Sequence, residues 1–150
     1  MSEQRLRISY SEDPRSVDWA RVKVDLAADE FDNGRTPGEL EMSFAASQFA
    51  VFAWNGDEVV GTARLLADGV CNAYLIDVWT KNAWRRQGIG REMVSRLLQK
   101  VPGHHVGLFT ECSTSLYETL GFQREEVGMS RVVGNWLNRA PTPSEADDDE

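Results

Sequence analysis

Between residues 84 and 100 the chain reads WRRQGIGREMVSRLLQK, which sets Arg85, Gly88 and Gly90 in an R-x-x-G-x-G spacing directly ahead of an amphipathic run. Residues of these types at this spacing can hold an anion. Glycines remove Cβ atoms, so consecutive backbone N–H groups can converge on one point, and a helix start adds about half a positive charge there. Arg85, Arg86, Arg91, Arg96 and Lys100, opposed only by Glu92, give the region the matching sign. Two familiar nucleotide sites are excluded. The dinucleotide fingerprint needs a third glycine where this chain has Met93, and a Walker loop needs a longer glycine spacing followed by Lys-Ser or Lys-Thr. An ordinary strand-to-helix turn would use the same glycines.

Other chemistry-bearing residues are sparse. Asp77 is the lone carboxylate in the apolar run NAYLIDVWT, where burial would raise its pKa, or where it could hold a loop by hydrogen bonds. Cys71 and Cys112 have neither the number nor the spacing of a disulfide framework or a zinc site, and only two histidines could assist them, so free thiols and no metal are expected. Residues 25 to 41 carry Asp25, Asp29, Glu30, Asp32, Glu39 and Glu41 against Arg35 alone. With Trp19, Phe31 and Phe44 interspersed, that region suits a cation; a solvated helix face over core aromatics accounts for the same pattern.

The elements that must position these residues alternate. RLRIS (5 to 9) reads as a short strand, and Ser16 can cap a helix over 17 to 31, where Trp19, Val22, Leu26 and Phe31 recur at helical spacing. Thr36, Pro37 and Glu39 form a capping-box start for a second helix to about Ser47. QFAVFAW and EVVGTARLL flank Asn55-Gly56-Asp57, a hairpin signal, and Asp68-Gly69 turns the chain into NAYLIDVWT, a central strand. In the helix after Gly88, Ile89, Met93 and Leu97 share one stripe with Val94 and Leu98 beside it, a core-packing pattern. HHVGLFT, STSLYETL ending at Gly121, then FQREE and VGMSRVV follow as strand, helix and two closing strands. The order implies an α/β (α+β) domain whose sheet is mixed, mostly antiparallel and crossed over by one helix.

At 150 residues with 41% hydrophobic content, the chain suits one domain, here residues 1–140. The last ten residues, PTPSEADDDE, hold five of the 24 acids and no base, so the net charge of −8 falls to −3 without them. Residues 141–150 read as an acidic disordered tail, and a chain of this charge is a poor nucleic-acid binder. No apolar run reaches the about 20 residues of a membrane span, and the N-terminus lacks a signal-peptide core, so no membrane partner and a cytoplasmic location are expected.

A second motif makes the glycine pair specific. LYETLGF (116 to 122) places Tyr117 four residues before Gly121-Phe122, after the next strand. Strand, R-x-x-G-x-G opening a helix, strand, then a YexLGF-like segment: in this order the chain resembles the GNAT superfamily of N-acetyltransferases over about residues 5 to 133. GTARLLADG, LIDVWT and the later Gly-Met are similar to a subgroup that includes plant serotonin N-acetyltransferase-like proteins.

The resemblance implies a GNAT-like fold with about six to seven strands and about four helices. It implies acetyl-CoA as co-substrate, its pyrophosphate on backbone N–H groups of Arg86, Gln87, Gly88, Ile89, Gly90 and Arg91 beside Arg85. It also implies that the strand ending at Thr80 parts from its neighbour, so that pantetheine pairs with Val78, Trp79 and Thr80. The reaction would be attack of a primary amine on the thioester, with a backbone N–H near Val78 or Trp79 facing the oxyanion and Tyr117 returning a proton to the CoA thiolate. Many such proteins place a glutamate base where this chain has Tyr74, which leaves Asp77, acting through a water, or Glu111 as base. Cys112 has no adjacent base to make it a nucleophile. The acceptor would be a small-molecule amine or a protein lysine or N-terminal amine, and dimers are common among such proteins. A non-catalytic acyl-CoA-binding or sensor module is the alternative.

Overall fold

Asn55-Gly56-Asp57 closes a tight hairpin, with Gly56 at φ 62°, and a second left-handed glycine, Gly69 at φ 80°, turns the chain after Asp68. These two turns build the centre of the computed structural model, which describes residues 7–140. In chain order it contains β1 (Ile8–Ser11), α1 (Trp19–Ala28), α2 (Pro37–Ala45), β2 (Phe49–Asn55), β3 (Glu58–Ala67), β4 (Asn72–Thr80), α3 (Ile89–Leu98), β5 (His105–Gly107) and α4 (Thr114–Thr119). The five strands lie in sequence order in one sheet; β1 to β4 pair antiparallel, and β5 joins β4 in parallel after the crossover through α3. This is the mixed α/β architecture expected, with four helices and five strands. The start of the first predicted strand and the acidic tail lie outside the described residues.

Local capping explains the helix starts. Thr36 Oγ1 accepts the Glu39 N–H at 3.1 Å while Glu39 Oε1 accepts the Thr36 N–H at 2.9 Å, the reciprocal box read from the sequence. The cap of α1 differs from expectation. Ser16 ends a short 3-10 turn, Pro14–Ser16, and the helix begins after Asp18, whose carboxylate accepts the Arg21 N–H at 3.2 Å. An ionised cap oxygen is the stronger acceptor for these orphan donors.

Two apolar cores sandwich the sheet. On one face Ile89, Met93, Val94 and Leu97 of α3 pack on Val51, Val60, Ala63, Leu65 and Leu75; on the other Trp19, Val22 and Leu26 of α1 and Leu40 and Phe44 of α2 pack on Phe52, Val59 and Trp79. Each of the larger aliphatic side chains and phenylalanines contributes roughly 1.5–3 kcal/mol on burial. Helix α3 approaches β3 at Gly61, where an added Cβ would lie 2.9 Å from Met93 Cε and 3.2 Å from Ile89 Cγ2.

The two closing strands do not form. Residues 122–133 run without ladder pairing, and β5 itself is three residues long rather than seven. A β-former has no sheet propensity without an edge to pair with, and Gln123-Arg124-Glu125-Glu126 supplies no apolar alternation to bury. Val127, Met129, Val132 and Val133 are therefore exposed, Met129 to 95%.

Candidate active site

The glycine loop is built as an open donor nest. A 3-10 turn at Asn82–Trp84 follows β4, after which Arg86 at φ 65° and Gly88 at φ 82° take left-handed conformations one residue apart. Arg85, extended at φ −69° and ψ 159°, followed by left-handed Arg86 has the pattern of a type II turn, which leads directly into the helix start. Gly88 is the N-cap of α3 and no side chain caps that helix. Among the described residues, no carbonyl or side chain accepts the N–H of Arg86, Gln87, Gly88, Ile89, Gly90 or Arg91; the first helical bond runs from Glu92 N–H to Gly88 C=O at 3.0 Å. Six consecutive donors and a positive helix end are thus left without an internal partner, and an anion is the natural one. Ile89 is the exception in side-chain role, being buried in the core, while Gly90 lies beside Thr80 and Leu116. Arg85 turns its Nε to the Thr80 carbonyl at 3.3 Å.

Strands β4 and β5 pair at only three positions, Asn72 with His105, Ala73 with Val106 and Tyr74 with Gly107. Beyond Tyr74 the β5-facing edge of β4, including Val78, Trp79 and Thr80, has no strand beside it among the described residues. The Trp79 side chain is buried on the α1–α2 face, whereas Val78 packs toward α3. Trp79 offers a ligand in the gap its backbone alone, while Val78 is half-buried.

Asp77 interrupts β4. Thr62 pairs with Trp79 and Arg64 with Ile76, so Ala63 alone faces both Asp77 and Val78, a bulge in which Asp77 adopts φ 56°. Its carboxylate is held on both oxygens: Arg35 Nη1 donates to Oδ2 and Nη2 to Oδ1, each at 2.9 Å, and Arg64 Nε donates to Oδ2 at 2.6 Å. Thr62 Oγ1 donates to the Asp77 carbonyl at 3.0 Å. Burial by itself would raise the carboxyl pKa, as expected from the sequence, but the hydrogen bonds and charges of Arg35 and then Arg64 outweigh it and hold the pKa below the ordinary 3.8. The direction is the reverse of the sequence expectation. Arg35 and Arg64 are the residues that sequence reasoning missed. Both carried a signal: each is the one base in its run, DEFDNGRT and EVVGTARLL, as Asp77 is the one acid in its own.

Tyr117 lines a groove of about 1010 Å³ together with Val106, Leu108, Phe109, Glu111 and Phe122 among others. The groove lies between β5 and the unpaired segment 122–128, both of which line it, and its lining does not reach Arg86–Arg91. The phenol ring meets Phe122 edge-on at 5.7 Å, and no hydrogen bond to its hydroxyl occurs among the described residues. Burial raises its pKa above the ordinary 10, and the neighbouring Cys112 adds to the rise, so the group is a proton donor throughout the neutral range. Tyr74, in the position of the expected base, stacks edge-on against Phe109 at 5.9 Å.

The acids of residues 25 to 41 are largely consumed within the chain. Asp25 pairs with Lys81 at 3.5 Å, Asp32 with Lys23, and Glu39 with Thr36 and Arg139. Asp29 accepts from the Trp79 indole and the Asn82 N–H. Glu30 and Glu41 have no such partner among the described residues. Both cysteines are free and exposed, and no group of three or more metal-ligating side chains occurs among the described residues. Nor is any helix there long and apolar enough to cross a membrane.

Comparison with known proteins agrees with this fold. A Streptococcus pneumoniae TIGR4 acetyltransferase of the GNAT family superposes with a TM-score of 0.71 at 26% identity, covering 85% of this chain and 99% of its own. A Deinococcus radiodurans R1 protein assigned as an acetyltransferase gives a TM-score of 0.74 at 24% identity, covering 83% of this chain and 88% of its own. A Clostridium acetobutylicum protein solved with acetyl-CoA gives 0.64 at 17% identity, with 83% and 96% covered. No curated protein matches the chain significantly. The model of the acetyltransferase (GNAT) family matches residues 10–122, a stretch that holds the donor nest, the bulged strand and Tyr117, and the chain belongs to that family.

Proposed function

We propose that the protein transfers the acetyl group of acetyl-CoA to a primary amine by direct attack of the amine on the thioester. The observation that carries this reading is the run of six unengaged N–H groups, Arg86 to Arg91, at the uncapped start of α3. A pyrophosphate fits such a nest, with Arg85, Arg86 and Arg91 supplying countercharge. Pantetheine amides would pair with the open edge of β4 at Val78, Trp79 and Thr80, which sets the thioester near the bulge. The oxyanion of the tetrahedral intermediate would take a hydrogen bond from a backbone N–H at Val78 or Trp79.

Tyr117, protonated and without an internal partner, is the acid that returns a proton to the departing thiolate. A carboxylate clamped by two guanidiniums is a weak base, so Asp77 is better read as positioning the strand. Glu111 lines the same groove as Tyr117, as Glu118, Glu125 and Glu126 also do, has no partner among the described residues, and is the carboxylate we assign to accept the amine proton, directly or through water. The acceptor is a small-molecule amine or a protein amine. With most acids of α1 and α2 engaged internally, the case for a strongly cationic acceptor is reduced.

One observation favours a second reading: no unpaired carboxylate stands on β4, as an acyl-CoA-binding module without turnover would allow. Thiol release from acetyl-CoA across an amine panel separates the two. Amine-stimulated release that falls in Glu111→Gln and Tyr117→Phe supports transfer. Acetyl-CoA binding with no release for any amine leaves the binding module.

A further inference from the structure

The acetyl-transfer reading needs the backbone at Val78 to be fixed, yet Asp77 beside it stands in a conformation that L-residues avoid. A left-handed bulge residue can be glycine or asparagine at lower cost, so the backbone alone does not ask for a carboxylate. The charge is explained by what reaches it. Arg35 belongs to the α1–α2 loop and Arg64 to β3, and both converge on Asp77 with side chains no more than 12% exposed.

The contacts continue on both sides. Arg35 is itself seated: its Nε donates to the Asp32 carbonyl at 3.1 Å, its own carbonyl accepts from Lys23 Nζ at 2.6 Å, and Lys23 pairs with Asp32. Arg64 reaches on to the end of α2, donating from Nη1 to Ser47 Oγ at 3.3 Å and lying over the Phe44 ring at 5.7 Å. A single carboxylate at the bulge thereby joins α1, the α1–α2 loop, α2 and β3 to the one segment of β4 that has lost its regular ladder.

We propose that Asp77, clamped by Arg35 and Arg64, is the positioning element of the active site: it fixes the Val78 N–H toward the thioester and ties that aim to the α1–α2 loop. The inference rests on the acetyl-transfer reading for the meaning of that aim, but the clamp itself is testable without turnover. A buried ion pair is weak evidence for stability, and its best-attested use is to specify one conformation among several. Here the alternative is β4 slipping into an unbulged register, which would turn every later side chain to the opposite face.

The test uses Arg35→Met, Arg35→Lys and Asp77→Asn in the full chain. Asp77→Asn retains a short polar side chain that tolerates the left-handed region, so it keeps the test open where Arg35→Met folds poorly. In the ligand-free proteins, amide hydrogen exchange in the β3–β4 ladder on either side of the bulge should rise about 10-fold while exchange in the β1–β2 ladder stays unchanged. With an active amine, kcat should fall about 10-fold in Asp77→Asn and Arg35→Met while the acetyl-CoA dissociation constant changes little, and Arg35→Lys should recover part of the loss. The acidic limb of the kcat profile should survive in Asp77→Asn. Unchanged exchange beside the bulge, or a uniform rise across the sheet, overturns the clamp. So does an unchanged kcat, or loss of the acidic limb, which would make Asp77 the base. A wild-type protein that turns over no amine counts against the acetyl-transfer reading, while the exchange result still decides the clamp.

Discussion

The indole Nε1 of Trp79 donates to Asp29 Oδ2 at 2.9 Å, and the same oxygen accepts the Asn82 N–H at 3.2 Å. One carboxylate at the end of α1 thus holds both the last buried side chain of β4 and the first peptide of the loop leading to the donor nest. Asp29→Ala should destabilise the protein by about 1–3 kcal/mol in urea unfolding, because a buried indole N–H loses its acceptor. Asp29→Asn keeps an acceptor oxygen and should recover most of that loss. Equal stability of Asp29→Ala and the parent would show that water replaces the contact.

Gly88 tests the nest. An added Cβ would meet nothing within 4 Å, so Gly88→Ala meets only the conformational penalty of φ 82°. About 1 kcal/mol of stability should be lost, and any relaxation toward negative φ would turn the N–H groups apart. Acetyl-CoA affinity, measured by calorimetry, should weaken about 10-fold. Unaltered affinity would place the pyrophosphate elsewhere.

Gly61 tests packing. Gly61→Ala pushes a methyl group to 2.9 Å from Met93 Cε, which can swing aside, and to 3.2 Å from Ile89 Cγ2, which cannot move without its helix. The expected cost is about 1–3 kcal/mol, read in chemical unfolding, and Met93→Ala in the same background should return part of it by opening space.

Tyr117→Phe should lower kcat about 100-fold with little change in acetyl-CoA binding. Since burial and then Cys112 raise the phenol pKa above 10, any alkaline limb assigned to Tyr117 must lie above pH 10. A limb near neutrality that disappears in Tyr117→Phe would contradict that assignment.

Acid stability carries the sign of the Asp77 shift. Its folded pKa lies below the unfolded value, so the stabilisation is fully present above about pH 4 and is lost as pH falls through the lowered folded pKa. Asp68, held to about 2 by the N–H groups of Cys71, Val70 and Asn72, titrates in the same window. Unfolding free energies between pH 6 and 2.5, taken in the parent, Arg35→Met and Asp68→Asn, should show a shallower acid decline in each variant than in the parent. An unchanged slope in Arg35→Met would mean that Arg64 alone sets the Asp77 pKa.

What could be read in the sequence was local. The Thr36–Glu39 box, the Asn55–Asp57 turn and the stripe Ile89, Met93, Leu97 each need only a few neighbouring residues, and each is where spacing put it. The Asp77 clamp joins residues 42 and 13 positions apart, and the Trp79–Asp29 bond spans 50, distances at which a single sequence offers only unmatched charges. The closing strands were misread for the opposite reason: VGMSRVV has the right residue types, but pairing depends on a neighbouring edge that the three residues of β5 do not extend far enough to provide.

That same stretch, with Phe109 and Trp136, governs how the molecule behaves in crowded solution. Phe109, Val127, Met129, Val133 and Trp136 offer oily surface to any neighbour, while a net charge of −8 keeps copies apart at neutral pH. Acidification or concentrated salt removes the repulsion and leaves the stickiness, so colloidal loss should set in before the sheet gives way, and a charged residue in place of Met129 should delay it.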